Sequence, residues 1–429
     1  DPSLVAPMFT GLFMDKMVGF LKLYFPVFLL GAVFGKLIEI SGFSKSIVTA
    51  TIKLVGAQRA MLSIVLVCAL LTYGGVSLFV VVFAVYPFAA ELFRQSSIPK
   101  RLIPGTIALG AFTFTMDALP GTPQIQNIIP TSFFGTTGWA APVLGTIGGV
   151  FILIVGMSYL EWRRRVAARN GEGYAGSEEL RNEPEPFKGD RLAHPLIAIL
   201  PLLLVGVANF LFTRWIPGFY GESQSFVPAV IGNPAPVVQE VSKVAAIWAV
   251  QGALLVGIVS VIAFAWKPVF ASFAEGTKSA IGGALLASMN TASEYGFGAV
   301  IAALPGFLVV ANALQAIPNP LVNEAISVTA LAGITGSASG GMSIALAAMA
   351  DSFIANANAA GIPMEVLHRV ASMASGGMDT LPHNGAVITL LAVTGLSHRQ
   401  SYKDIFAITL IKTSAVFVVI GVFYATGLV

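Results

Sequence analysis

The chain has few charged residues. Of its 429 residues only 10% are charged, whereas 56% are hydrophobic, and the mean hydropathy is +0.82. A soluble globular domain usually carries about 25% charged residues. The net charge of +3 is too small to indicate a nucleic-acid partner. The composition therefore indicates a protein that crosses the membrane several times and contacts lipid.

Signatures of enzymes and cofactors are also scarce. Cys68 is the only cysteine, so no intramolecular disulfide can form. The four histidines are scattered without metal-ligand spacing, and we predict neither a metal nor a cofactor. The sequence contains neither the GxxxxGK[ST] motif that binds ATP phosphates nor a G-x-S-x-G nucleophile motif. We therefore expect a protein that is not an enzyme.

Long apolar runs take the place of these signatures. About 20 apolar residues suffice for one helix to cross the hydrocarbon core. The predicted spans are 18–38, 60–92, 102–116, 138–160, 194–213, 243–266, 279–313, 324–354 and 403–428.

Some of these runs do not fit one simple helix. Three are too long and are interrupted by small or polar residues, in TYGGVS (72–77), SMNTASEYG (288–296) and TGSASGGMS (335–343). Two shorter segments, 124–135 and 364–395, contain Pro-Gly breaks. We predict broken helices or re-entrant hairpins at these places, within an all-α polytopic fold.

One hydrophilic stretch, 161–193, divides the chain. It is rich in Lys and Arg, as cytoplasmic loops are, although a plain solvated linker has the same composition. The predicted organisation is a first transmembrane repeat at 1–160, a cytoplasmic linker at 161–193 and a second transmembrane repeat at 194–429.

The two halves share three short motifs in the same order. Gly74-Gly75 matches Gly340-Gly341, Ile98-Pro99 matches Ile362-Pro363, and Met-Asp-x-Leu-Pro occurs at 116–120 and 378–382. The offset between partners falls from 266 to 264 to 262 residues along the chain. Secondary transporters commonly have such repeats, with broken helices at corresponding positions and the site between them. The residues leave open whether the repeats are parallel or inverted.

A broken helix inside the membrane exposes backbone groups that can bind a ligand. The N-terminus of a half-helix offers free N–H groups and a partial positive charge, which suit a carboxylate, and its C-terminus offers carbonyl oxygens. The alternative is that the small residues mark close helix packing. The predicted substrate-binding residues are Gly75, Ser77, Gln124, Asn127, Asn290, Thr291, Ser293, Ser337, Ser339, Thr380, His383 and Asn384.

Ionisable residues at membrane depth are functional candidates because a buried charge is costly there. The proton-coupling candidates are Asp117, Asp379, His383 and Glu294. The two aspartates occupy equivalent repeat positions and have an alternative role as helix caps. His383 follows Asp379 by four residues, so the two are candidates to share a proton, unless His383 only packs. The other histidines, His194, His368 and His398, look interfacial.

The stretches FPVFLLGAVFGKLIE (25–39), TYGGVSLFVVVFAVYPFAAELFR (72–94), IPKRLIPGTIALGAFTFTMDALPGTPQIQN (98–127) and SGGMDTLPHNGAVITLLAVTGLSHRQSYKDI (375–405) resemble one known family. That family is the gluconate permease (GntP) family of bacterial proton symporters, in the ion transporter superfamily. LPHNGAVIT is similar to members that carry hydroxybutyrate. Family chains usually have further hydrophobic helices before FPVFLLG, so a missing upstream piece is an expectation.

The resemblance implies inverted repeats, re-entrant hairpins, a dimer and an elevator-like moving domain in the bacterial inner membrane. It also implies the import of small hydroxylated monocarboxylates, such as gluconate or 3-hydroxybutyrate, with protons. SMNTAS (288–293) resembles the Ser-Asn-Thr hairpin tips of sodium-coupled dicarboxylate carriers, which keeps a sodium-coupled symporter as an alternative. Less expected alternatives are a passive organic-anion channel and a membrane enzyme acting on lipids.

Overall fold

The computed structural model describes residues 2–56, 59–176, 180–184, 192–227, 235–306, 309, 313 and 317–429. Most of this part of the chain is helical. The first half contributes α1 (Pro2–Ile40), α2 (Phe43–Val55), α3 (Ala60–Tyr73), α4 (Leu78–Gln95), α5 (Ile103–Ala111), α6 (Phe114–Asp117), α7 (Ile125–Phe134) and α8 (Pro142–Arg169).

The second half has a longer series of helices. It contributes α9 (Pro195–Tyr220), α10 (Ala245–Phe264), α11 (Trp266–Ala271), α12 (Phe273–Ala302), α13 (Pro320–Thr335), α14 (Ala338–Ala359), α15 (Met364–Ser375), α16 (Gly385–Thr394) and α17 (His398–Thr426). Two strands, β1 (Ser223–Phe226) and β2 (Val237–Glu240), pair antiparallel between α9 and α10, with Ser223 opposite Glu240.

Six helices of the described chain, α1, α8, α9, α10, α14 and α17, are long and apolar enough to cross a membrane. Their apolar side chains are only partly buried, which is expected of helices that face lipid. The prediction of an all-α polytopic membrane protein is confirmed.

Two of the predicted helix breaks are present. The run 60–92 divides into α3 and α4, and Gly75 at the break has φ +96°, in the left-handed region that favours glycine. The run 324–354 divides into α13 and α14, and Gly336 at that break has φ +65°. Both breaks therefore lie where the small residues predicted them.

The predicted break at 288–296 is wrong. α12 continues through this stretch without interruption. Its small and polar residues instead form one face, because Thr291, Glu294 and Gly298 recur at helical spacing and all meet α14. No proline lies inside α12, so nothing in its sequence forces the helix to end there.

The halves are interleaved in space. α12 packs along α1, α17 along α8, α15 against α7, and α16 against α4. The hairpin of α9 and α10 packs on α1 and α2. The order α3 to α8, with its short α7, parallels the order α13 to α17, with its short α16, so the element order agrees with the repeat. The division at 161–193 stays a prediction.

Close helix packing in the first half depends on Gly110 of α5. A Cβ atom at Gly110 would lie 2.5 Å from the carbonyl oxygen of Val65 and 2.5 Å from Cys68 Cβ, both on α3. We expect Gly110→Ala to destabilise the protein by about 1–3 kcal/mol, because a backbone oxygen cannot rotate away. Thermal unfolding of the purified protein in detergent measures this. Gly282→Ala in α12, where a Cβ meets nothing within 4 Å, is the control and should not lower the midpoint.

An ion pair between Glu172 and Arg101 holds the loop after α8. Arg101 Nε and Nη2 donate to the two carboxylate oxygens of Glu172 at 2.6 and 2.8 Å, and this guanidinium holds the pKa of Glu172 below its usual value. A lowered folded-state pKa contributes stability above the unfolded pKa, and the contribution is lost as pH falls.

We therefore expect Glu172→Gln to lower the free energy of unfolding by up to about 1 kcal/mol at pH 7. The difference from wild type should shrink below roughly pH 4, where an unfolded glutamate is protonated. Unfolding curves of both proteins between pH 3.5 and pH 8 test this. A difference that stays constant over that range would show that the ion pair is not its cause.

Candidate functional site

In the second half, the two helix breaks touch each other. Asn384 Nδ2 donates to the carbonyl oxygen of Gly336 at 2.6 Å, and Asn384 Oδ1 accepts from Val387 N at 2.9 Å. The ring of His383 lies against Gly336, where an added Cβ would come within 2.6 Å of His383 Cδ2. The stretch that includes His383 and Asn384 therefore covers the turn between α13 and α14.

The first half repeats this arrangement with other residues. Gln124 Nε2 donates to the carbonyl oxygens of Thr72 at 2.7 Å and Val76 at 3.3 Å. Tyr73 Oη donates to the carbonyl oxygen of Pro120 at 2.8 Å. In each half, an amide side chain thus joins the start of the short helix to an earlier helix break, between α3 and α4 or between α13 and α14.

These amides also answer the question of helix caps. Gln124 is the N-cap residue of α7 and Asn384 is the N-cap residue of α16. The alternative role of Asp117 and Asp379 as caps of these helices is wrong, because the chain first makes a turn after Leu-Pro. The helices begin only at Ile125 and Gly385.

The four half-helix N-termini differ in how they are capped. Ser337 Oγ accepts from Gly340 N at 3.1 Å, and Asn384 caps α16, so both N-termini of the second half use a side chain. Ser77 at α4 and Gln124 at α7 make no such side-chain cap bond. The N–H groups of the first half are therefore the more available ones for an anion.

Some of the buried polar atoms without a partner lie around the first-half breaks in the sequence. Within the described residues, Thr72 Oγ1, Thr122 Oγ1 and Gln126 Oε1 have no hydrogen-bonding partner. Buried polar groups are normally satisfied, so these atoms are candidates to contact a ligand or water. The sequence predictions included these ranges but chose their neighbours Gly75, Ser77 and Gln124.

The polar face of α12 meets the start of α14. A Cβ at Gly340 would lie 1.7 Å from Glu294 Oε2 and 3.0 Å from Ser337 Oγ. Thr291 Oγ1 lies 3.4 Å from Ser339 Oγ. Four residues predicted from two distant stretches are thus neighbours.

The other two candidates on α12 lie elsewhere. Asn290 is exposed, and Ser293 Oγ lies 4.0 Å from Met17 Sδ on α1. Neither residue is shown in contact with the α13–α14 break. Their role in substrate binding stays a prediction.

The two aspartates of the repeated motif are both buried. Asp379 Oδ1 accepts from Lys412 Nζ at 2.5 Å, so its hydrogen-bonding partner is Lys412 on α17 and not His383, which is exposed. Thr380 Oγ1, beside it, lies 2.5 Å from Thr409 Oγ1 on the same helix. The predicted proton sharing between Asp379 and His383 does not match this geometry.

A second buried network joins the halves through Arg369 on α15. Arg369 donates to the carbonyl oxygens of Ala140 and Asp117 and to Asn127 Oδ1, the latter at 3.1 Å. His368 Nε2 lies 3.3 Å from the same Asn127 oxygen. Asn127 Nδ2 donates to two further carbonyls, so this predicted ligand is engaged within the protein.

Three residues of these networks were missed or misplaced by the sequence predictions. His368 is fully buried, so the expectation that it is interfacial is wrong. Arg369 and Lys412 were not candidates, although both are cations within otherwise apolar surroundings. A cation at membrane depth indicates a functional residue. The sequence predictions overlooked these two cations because each lies near a predicted span boundary or within a strongly apolar run.

A curated relative matches this chain over its whole length. The protein of Bacillus subtilis (strain 168) named uncharacterized transporter YxjC is 59% identical over 437 residues, covering 100% of this chain and 92% of the relative. The chain belongs to the YxjC family of transporters. No protein-family model matches the chain. The similarity to this relative and the six apolar helices together show that the chain is a multi-pass membrane transporter.

The fold has a solved counterpart. A crystal structure of the YdaH transporter of Alcanivorax borkumensis, described as having an unusual topology, superposes with a TM-score of 0.54 at 14% identity. The match covers 96% of this chain and 88% of that one. At this identity the likeness concerns the fold alone, and it leaves the gluconate-permease resemblance a prediction.

The contact of the second-half breaks can be tested at Asn384. We expect Asn384→Ala to cost about 1 kcal/mol for the lost cap and about 1 kcal/mol for the lost bond to Gly336. Asn384→Asp keeps the capping oxygen but replaces the donor to Gly336 by a second oxygen. Thermal unfolding in detergent should therefore rank both variants below wild type. An aspartate variant as stable as wild type would mean that the bond to Gly336 contributes nothing.

Proposed function

We propose that this transporter imports a small hydroxylated monocarboxylate, such as gluconate or 3-hydroxybutyrate, together with protons. The observation that carries the proposal is the paired contact of helix breaks, one pair in each half, next to buried polar atoms that have no protein partner. Broken helices that line a cavity are the usual substrate sites of secondary transporters.

The substrate carboxylate is proposed to bind the N-termini of α4 and α7. These are the two half-helix N-termini that side chains leave uncapped, at Ser77 and Gln124. Their partial positive charge favours an anion and does not require a fixed cation. Gly75 is buried against Pro123 and Leu254, and its contact with a ligand stays a prediction.

Hydroxyl groups of the substrate are proposed to meet the unpartnered oxygens of Thr72, Thr122 and Gln126. His383 and Asn384 are proposed to close the site from the second half. A ligand of this size supplies donors and acceptors where the protein alone leaves these atoms unsatisfied. A plain fatty acid lacks such groups and is expected to bind less tightly.

Coupling to protons is proposed because carboxyl groups lie at the breaks or on the helix that contacts them: Asp117 and Asp379 are buried, and Glu294 is half-buried. Sodium coupling remains the second candidate, supported by the hydroxyl and carboxylate oxygens at Thr291, Ser339 and Glu294. A homodimer in the bacterial inner membrane is part of the proposal.

Ligand binding can be screened before transport. Ligands that bind the native state raise its thermal stability. We expect gluconate or 3-hydroxybutyrate to raise the unfolding midpoint of the purified protein, and acetate, which lacks a hydroxyl group, to do so less. The better ligand is then used as the substrate in proteoliposomes.

Uptake of that ligand should exceed its equilibrium level only with an inward proton gradient. His383→Ala and Asn384→Ala should each reduce uptake at least tenfold, because they remove the second-half side of the site. His194→Ala, before α9 and outside the helix breaks, is the control. Accumulation that requires sodium instead would favour the second candidate. Equilibration without accumulation would favour a channel, and full activity of both site variants would contradict the assignment of the site.

A further inference from the structure

The two aspartates of the repeated motif have unequal surroundings. Asp117 is 1% exposed and Asp379 is 5% exposed, so both are out of contact with bulk water. They occupy the same motif position, Met-Asp-x-Leu-Pro, in the two halves. Any difference in their chemistry must therefore come from what lies around them.

Asp379 has a fixed countercharge. Lys412 Nζ lies 2.5 Å from Asp379 Oδ1, and it also donates to the carbonyl oxygen of Phe112 at 3.0 Å. Phe112 follows α5, so the ammonium group is held by both halves. Removing one partner of such a buried pair leaves an uncompensated charge, which is strongly destabilising. The contact favours an ionised Asp379.

Asp117 lacks such a contact. Its Oδ2 atom is buried and has no hydrogen-bonding partner among the described residues. It lies against the backbone of Gly376, where an added Cβ would be 1.8 Å from Oδ2. A bare carboxylate oxygen in such a place is costly, and a proton on Asp117 removes the charge.

The charges around Asp117 act against each other. Lys412 on α17 and Arg369 on α15 are cations near Asp117, and Asp379 is an anion near it. The Arg369 guanidinium donates to backbone carbonyls and to Asn127, and among the described residues its hydrogen bonds do not include the Asp117 carboxylate. Asp117 is therefore near charges of both signs, and no ion pair among the described residues holds its carboxylate in the ionised form.

The helices themselves carry this asymmetry. Lys412 is the fifteenth residue of α17, and the fifteenth residue of α8 is Gly156. A Cβ at Gly156 would lie 2.4 Å from Leu109 Cδ1 on α5, so the first half has a close helix contact where the second half has a cation. Lys412 thus pairs with Asp379, which is one of the two equivalent aspartates.

We propose that Asp117 is the residue that binds and releases the transported proton, and that Lys412 keeps Asp379 ionised as a fixed anchor. The inference rests on the proposed proton coupling and deepens it. Asp117 takes one proton from water when the site is open to the outside. It returns that proton to water when the site is open to the inside, so one proton crosses in each cycle and no bond other than O–H changes.

The first test needs no substrate. Infrared spectra of the purified protein, recorded as the pH is raised, show the C=O band of any carboxylic acid that loses its proton. We expect Asp117→Asn to remove a titrating part of this band. Glu324→Gln is the matched control, since Glu324 is fully buried with two unpartnered oxygens but lies on α13, eleven residues before the break. It should leave the Asp117 part of the band in place.

The second test uses proteoliposomes and whichever of gluconate and 3-hydroxybutyrate stabilises the protein. Asp117→Asn should lose proton-driven accumulation at least tenfold but still exchange labelled for unlabelled substrate. Asp379→Asn alone should lower the unfolding midpoint, because it leaves Lys412 unpaired. The double variant Asp379→Asn with Lys412→Met should recover that midpoint and still respond to the proton gradient, at whatever rate it transports.

The proposal is overturned if Asp117→Asn still accumulates substrate with the proton gradient. It is also overturned if Glu324→Gln or the double variant loses this accumulation instead. If Asp117→Asn does not fold, Asp117→Glu keeps an acid of different length and should move the pH midpoint of the infrared band. An unmoved midpoint also contradicts the proposal. If wild type accumulates substrate without a proton gradient, the proposed function fails, and the infrared comparison still decides whether Asp117 is the titrating group.

Discussion

Backbone hydrogen bonding inside lipid is the constraint on which this structure depends. A helix that stops within the membrane exposes N–H and C=O groups that lipid cannot satisfy. The protein stops several helices there, and it meets the constraint by placing each break against another. Gln124 and Asn384 each donate an amide proton to a carbonyl oxygen of the neighbouring break. The breaks are therefore tolerated as pairs.

The sequence predicted the fold better than the chemistry. Glycines at 75 and 336 located two breaks, because left-handed backbone conformations favour this residue. The polar cluster at 288–296 led to the wrong prediction of a helix break, since the same residue types also form a polar stripe on an unbroken helix. A spacing that matches the helical period, from Thr291 to Glu294 to Gly298, distinguishes the two cases, and it was visible in the sequence.

The site itself could be predicted only in part. The motif pairs indicated that Asp117 and Asp379 are equivalent, and no local pattern reveals that Lys412, 33 residues after Asp379, pairs with that aspartate. Partners of that kind arise from tertiary packing between helices distant in sequence. The same holds for Asn127. The sequence predicted that it binds substrate, but in the fold its side chain hydrogen-bonds to other residues of the protein.

The network around Arg369 has a mechanical consequence. This side chain, carried by a helix of the second half, grips three carbonyl or amide oxygens of the first half in a fully buried place. Shearing α15 past α7 would break several charge-assisted bonds at once with no water to replace them. α15 and the first-half segments that carry Asp117, Asn127 and Ala140 thus form one stiff block, and any sliding surface that opens the protein to either side must run around this block and not through it.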